Sequence, residues 1–97
     1  MWAIKIHPLV FKEDFKSIPV ADQTAILKSI KTKLSVDPEH FGKPLRGEFF
    51  HYWRLRVAHY RIVYRMIKDE VVVLVIKIGI RKDDHVYREL FARIKKS

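Results

Sequence analysis

The apolar positions of this chain change period twice. Trp2, Ile4 and Ile6 alternate with Ala3 and Lys5, the pattern of a short strand. Pro8 then stands where a first helical turn tolerates proline. Phe11, Phe15 and Ile18 follow at helical spacing and predict an amphipathic helix over 8–17, which Pro19 stops. A second stripe, Ala25 or Ile26 with Ile30 and Leu34, predicts a helix over 20–35, with Lys28, Lys31 and Lys33 mainly outside it. So short a connection packs the two as an antiparallel hairpin. Asp37-Pro38 ends the second helix, and 37–47, with Gly42, Pro44 and Gly47, reads as loop.

After Gly47 the period becomes two. Phe49, His51, Trp53, Leu55 and Val57 alternate with Phe50, Tyr52, Arg54 and Arg56. Ala58-His59 is a tight turn, and Tyr60–Ile67 is a strand rich in aromatic and β-branched residues. Lys68-Asp69-Glu70 is a polar turn, and 71–80, broken at Lys77, has the composition of a central strand covered on both faces. Val86, Leu90 and Ile94 place a closing helix over 82–95. The expected fold is α+β: an N-terminal strand and helical hairpin on an antiparallel-rich sheet of about four strands, with a C-terminal helix, in the order β-α-α-β-β-β-α.

The two turns assign faces. Arg56 falls opposite Arg61, Leu55 opposite Ile62 and Arg54 opposite Val63. A three-residue turn at 68–70 also sets Arg61 opposite Lys77 and Val63 opposite Val75. One face then carries His51, Trp53, Leu55, Val57, Tyr60, Ile62, Tyr64, Met66, Val72, Leu74, Ile76 and Ile78, which is a core. The other carries Tyr52, Arg54, Arg56, Arg61, Arg65, Lys77 and, past Gly79, Arg81. Arg56, Arg61 and Lys77 would form a row of like charges, which destabilises a sheet. An anion bound to the row would neutralise it and accept forked hydrogen bonds from the guanidiniums. The ordinary alternative is long side chains reaching water from strand ends.

Composition sharpens this. Twenty Lys and Arg against eleven Asp and Glu leave a net charge of +9 in 97 residues, which points to anionic partners. The length suits one domain, 1–97. The absence of Cys excludes disulfides and thiolate metal sites. The longest apolar run, 71–76, falls far short of the roughly 20 residues of a membrane span, and no secretory signal is visible, so a cytoplasmic protein is expected. Arginines interleaved with Tyr52 and Tyr87 suit RNA, with phosphates on cations and unstacked bases on rings. For each tyrosine a packing function is the plain alternative.

Leu45-Arg46-Gly47, then Tyr52-Trp53-Arg54-Leu55-Arg56-Val57 and Tyr60-Arg61-Ile62-Val63-Tyr64-Arg65, resembles the core of the RelE/ParE toxin superfamily. The segment 73–87, ending Ile78-Gly79-Ile80-Arg81-Lys82-Asp83-Asp84-His85-Val86-Tyr87, is similar to that family's closing strand and following segment. The resemblance covers the whole chain in element order, is strongest over 45–88, and fits the RelE branch best. It implies the toxin of a toxin–antitoxin pair: an endoribonuclease that cuts mRNA in the ribosomal A site and is silenced by an acidic, RelB-like antitoxin. Neither a membrane nor a small-molecule cofactor is implied. The implied chemistry is metal-free: the ribose 2′-OH attacks its own 3′ phosphate and leaves a 2′,3′-cyclic end.

Position by position, the resemblance implies that Arg61 stabilises the transition state, Arg81 serves the phosphate and leaving oxygen, and Tyr87 stacks on or orients a base. Arg54 and Tyr52 fall where well-known members carry lysines. Arg54 holds phosphate but is a poor base, because a guanidinium does not lose its proton in a protein. Arg56, Arg65, Lys77 and Lys82 complete the expected phosphate-binding set. His59 and His85 are the candidate bases, each with an ordinary surface reading beside it. No His pair has metal-ligand spacing with an acidic partner. Two further readings stay open: a ParE-like toxin that binds DNA gyrase without cutting RNA, and a non-catalytic basic RNA-binding protein of the same fold.

Overall fold

The computed structural model describes residues 1–80 and 85–96. Five strands form one sheet: β1 (Ala3–Ile6), β2 (Lys43–Pro44), β3 (Trp53–Val57), β4 (Tyr60–Ile67) and β5 (Val72–Ile80). Their spatial order is β1-β5-β4-β3-β2, with β1 parallel to β5 and the other pairs antiparallel. The helices are α1 (Pro8–Lys12), α2 (Val20–Ser29), α3 (Pro38–Phe41) and α4 (His85–Lys96). The expected α+β fold stands, with one short strand added at the β3 edge.

One face of the sheet carries the main core. Val10, Phe15, Ile18, Ile26, Ile30 and Leu34 pack on Leu55, Tyr60, Ile62, Tyr64, Val73, Val75 and Ile78. On the other face, Val63 and Ile76 meet Leu90 of α4, with Leu45, Phe49, Tyr52, Leu74, Tyr87 and Ile94 around them. The sheet is therefore covered on both sides, as the apolar run of β5 requires.

Several local expectations are corrected. The helix expected over 8–17 unwinds at Glu13 (φ −119°) and continues as a 3-10 turn over Asp14–Ser17. In that turn the Asp14 carboxylate reaches the edge of β5, where it accepts from the Ile78 N–H. The second helix keeps its stripe, with Ile26 rather than Ala25 buried, but widens into a π-helix over Ile30–Leu34. The expected loop 37–47 holds α3, started by Pro38 and capped by the Asp37 side chain, which accepts from the His40 N–H at 3.1 Å. It also holds β2, paired with Trp53 and Arg54.

The strand expected from Phe49 begins only at Trp53. Gly47, at φ +67°, opens a 3-10 turn over Gly47–Phe49, and a bond from Leu45 N–H to the Tyr52 carbonyl closes the connection. His51 lies in that connection, exposed, and is not a core residue. The turn after β4 spans 68–71, one residue longer than expected, with Val71 at φ +54°. A bulge at Ile76 adds a second shift. Val63 consequently faces Lys77, and Arg61 faces Gly79. Leu74 and Ile76 lie against the α4 side, leaving Val73 and Val75 in the main core.

Candidate nucleic-acid interface

Strand register brings the arginines together. Arg56 stands directly opposite Arg61, as the two-residue turn requires. On its other flank Arg61 faces Gly79, which puts no side chain on that face. The Arg61 guanidinium lies 5.0 Å from the centre of the Tyr87 ring, close enough for a cation–π contact. Its Nε–H is buried and meets no acceptor among the described residues. A buried donor left unmatched costs on the order of 1–3 kcal/mol. A like charge across the strand, an aromatic ring over the guanidinium and a donor unmatched among the described residues are features that an anion could satisfy.

Tyr87, in the first turn of α4, also stacks on Phe49, with ring centres 6.0 Å apart and planes 28° from parallel. Phe91, one turn on, meets Phe49 edge-on at 6.4 Å. Arg54 is half-buried opposite Val63, while Arg56 and Arg65 are exposed. Tyr52 packs into the α4-side cluster and lines a groove with Arg65, His7 and Ile94. His59 is exposed in the β3–β4 turn, its ring 6.0 Å from that of Tyr60. Arg81 and Lys82 lie outside the described residues, and His85 is described as the first residue of α4. Among the described residues no three His, Asp or Glu gather so as to hold a metal ion.

Lys77 does not belong to the cationic row. It faces Val63, is 4% exposed, and its ammonium donates to Asp14 Oδ1 at 2.7 Å and to Glu89 of α4. The second Asp14 oxygen accepts from the Ile78 N–H at 2.9 Å. Arg93 donates to both Asp14 oxygens, at 2.8 and 3.0 Å, to the Ile76 carbonyl at 2.9 Å, and to Glu13 at 3.1 Å. Parallel β1 pairs with β5 only as far as Val75. Beyond that point Asp14 and Arg93 satisfy the β5 backbone that a longer strand would have paired. Burial works against the Arg93 charge, but Asp14 and then Glu13 outweigh it and hold its pKa above the usual value. Nothing in the local pattern marks Asp14, Glu89 and Arg93 as partners, since the contacts span up to 80 positions.

The family model of the ParE toxin of the type II toxin–antitoxin system (parDE) matches residues 4–85. This chain belongs to that family, within the RelE/ParE toxin superfamily. It is 46% identical over 41 residues to the mRNA interferase toxin RelE of Escherichia coli strain K12, a match that spans 42% of this chain and 43% of the relative. To toxin RelG of Mycobacterium tuberculosis it is 29% identical over 77 residues, 79% of this chain and 86% of the relative. In fold it is similar to a chain of the toxin–antitoxin complex RelBE2 from M. tuberculosis. The TM-score is 0.77 at 24% identity, over 82% of this chain and 98% of that one.

Proposed function

We propose that this chain is a ribosome-dependent endoribonuclease that cleaves mRNA in the A site and is neutralised in the cytoplasm by an acidic, RelB-like antitoxin. The observation that carries the reading is Arg61, whose buried Nε–H, unmatched among the described residues, sits beneath Tyr87 and beside Arg56. The name of the E. coli relative, an mRNA interferase, supports the reaction type, and the RelBE2 complex supports the partner.

The reaction this geometry suits forms an O2′–P bond and breaks the P–O5′ bond. The 2′ proton leaves to a base and a proton is returned to O5′. Arg61 stabilises the charge on the phosphorane, and Arg81 is assigned to the phosphate and leaving oxygen by the family resemblance alone. Preorganised cations of this kind act without reorganisation as charge develops. Arg54 and Arg56 hold neighbouring phosphates, and Tyr87 orients a base by stacking. Because a guanidinium is not a base, charge stabilisation carries more of the barrier here than proton abstraction by a side chain.

The test is cleavage of mRNA on programmed ribosomes by the wild type and by Arg61→Ala. The expected result is cleavage inside the A-site codon, leaving a 2′,3′-cyclic end and lost in the variant. Intact mRNA at saturating toxin would overturn the reading. The ParE family match favours one alternative, inhibition of DNA gyrase without RNA cleavage. A supercoiling assay separates the two, because an A-site ribonuclease leaves gyrase unaffected.

A further inference from the structure

We propose that the slot between the Gly47–Phe49 turn and α4 is a second base-binding subsite, in which Glu48 selects a base carrying an exocyclic amino group over uracil. The inference rests on the RNA-cleavage reading and adds to it a subsite and its selectivity. The slot encloses about 260 Å³ and is lined by Glu48, Phe49, Tyr87, Arg88 and Phe91.

Its walls are ring faces and its surroundings are cations. Phe49 and Tyr87 stack, and Phe91 closes the cluster edge-on while staying 40% exposed. Lys95 holds its ammonium 4.6 Å from the Phe91 ring centre, and Arg61 stands 5.0 Å from the Tyr87 ring centre. Arg88 is exposed beside the slot. A core that needed only to close would have buried Phe91. Aromatic faces bounded by Lys and Arg match a single-stranded polyanion whose bases have left the stack. Tyr87 belongs both to the slot and to the Arg61 contact, so the two sites share a wall.

Glu48 gives the slot its chemical sense. A carboxylate only accepts hydrogen bonds. Adenine, cytosine and guanine each offer an amino group on the Watson–Crick edge. The donor of uracil, N3–H, lies between two carbonyl oxygens that a carboxylate repels. The exposed Glu48 therefore favours the first three bases. A neutral glutamine, which both donates and accepts, would favour none.

The experiment compares ribosome-bound mRNAs that differ at single positions in and beside the A-site codon. The enzymes are the wild type, Glu48→Gln, Phe49→Ala and Phe49→Trp, each checked for an unchanged melting profile. Wild type should cut poorly when uracil occupies one particular position. Glu48→Gln should erase that difference. Phe49→Ala should lower cleavage roughly 5- to 150-fold, the value of one lost base stack, mainly through KM, and Phe49→Trp should restore it. The same position-dependence in wild type and Glu48→Gln would overturn the subsite while leaving the cleavage reading intact. No cleavage by wild type would overturn both. Variants that lose affinity for the antitoxin but keep the wild-type cleavage profile would show that the slot holds a protein segment, and the proposal would fail.

Discussion

Asp14 and Arg93 form a two-point ion pair in the protein interior, at 2.8 and 3.0 Å, although 79 positions separate them. The pair ties the hairpin on one face of the sheet to the helix on the other. It is joined by Lys77, so one carboxylate stands against two cations, with Glu13 and Glu89 completing the charge balance at the rim. The Asp14 side chain is fully buried, and its removal leaves the two buried cations with only the rim carboxylates Glu89 and Glu13 against them. Asp14→Ala should therefore cost roughly 3–5 kcal/mol in urea unfolding, the range for a broken buried pair. Replacing the exposed Glu39 of the surface pair with Lys68 should cost no more than about 1 kcal/mol. Equal effects for the two substitutions would show that the interior network adds nothing to stability.

The Arg56–Arg61 pair predicts the opposite sign. Arg61→Ala should lower single-turnover mRNA cleavage by about two to three orders of magnitude, the scale of one lost transition-state donor. Relief of like-charge repulsion and of the unmatched Nε–H should leave the melting temperature unchanged or raise it. Calorimetry beside the cleavage assay checks both, and a large loss of stability would mark Arg61 as a structural residue.

Gly42 predicts a coupling. A Cβ at this position would sit 1.7 Å from the Tyr64 hydroxyl oxygen, which donates to the Pro38 carbonyl at 2.6 Å in the core. Gly42→Ala should destabilise by about 1–3 kcal/mol through overpacking. Adding Tyr64→Phe removes the nearest atom it strikes, while the ring Cζ at 2.8 Å and the Arg54 carbonyl at 3.0 Å remain. The double variant should then be more stable than the sum of the two single effects, as a double-mutant cycle by chemical denaturation would show.

Tyr64 also sets an alkaline limit. Burial is the first cause that raises its pKa above the ordinary phenol value, followed by the charges of Asp37 and Glu39. With the folded pKa above the unfolded one, its contribution is complete below pH ~10 and is lost as pH rises through the folded value. Stability should fall above pH ~10 by as much as about 1.4 kcal/mol per pH unit from this group. Tyr64→Phe should be less stable at pH 7 but show a flatter alkaline profile in urea titrations. Parallel profiles would assign the alkaline loss to other groups.

The last prediction concerns the base. His59 is exposed in a turn and Arg54 does not give up its proton. Single-turnover cleavage from pH 5 to 9 should lack a limb near pH 6.5, the ordinary histidine value, and His59→Ala or His85→Ala should leave the profile unchanged. A limb that disappears in one of these variants would identify the base and replace charge stabilisation as the main contribution.

The sequence by itself determined what local pattern and short turns control. The period-two runs of β3 and β4, joined by Ala58-His59, assigned Leu55, Ile62 and Tyr64 to the main core and set Arg56 against Arg61, because a hairpin this short permits one register. The helical stripe through Ile26, Ile30 and Leu34 was equally legible. The tertiary structure decided what depends on distant segments. The longer turn at 68–71 and the bulge at Ile76 moved Lys77 out of the charged row. No pattern in β5 announces either feature, since Val72–Ile80 is apolar on both faces apart from Lys77. The termination of β1 at Ile6 left β5 backbone that Asp14 and Arg93 came to satisfy. The packing of α4 put Tyr87 over Arg61 and beside Phe49, which lies in a turn and not in the alternating strand its neighbours suggested. Hydrophobic period fixes which residues are inside. The partners of the charges that go in with them depend on which elements meet, and only the folded chain settles that.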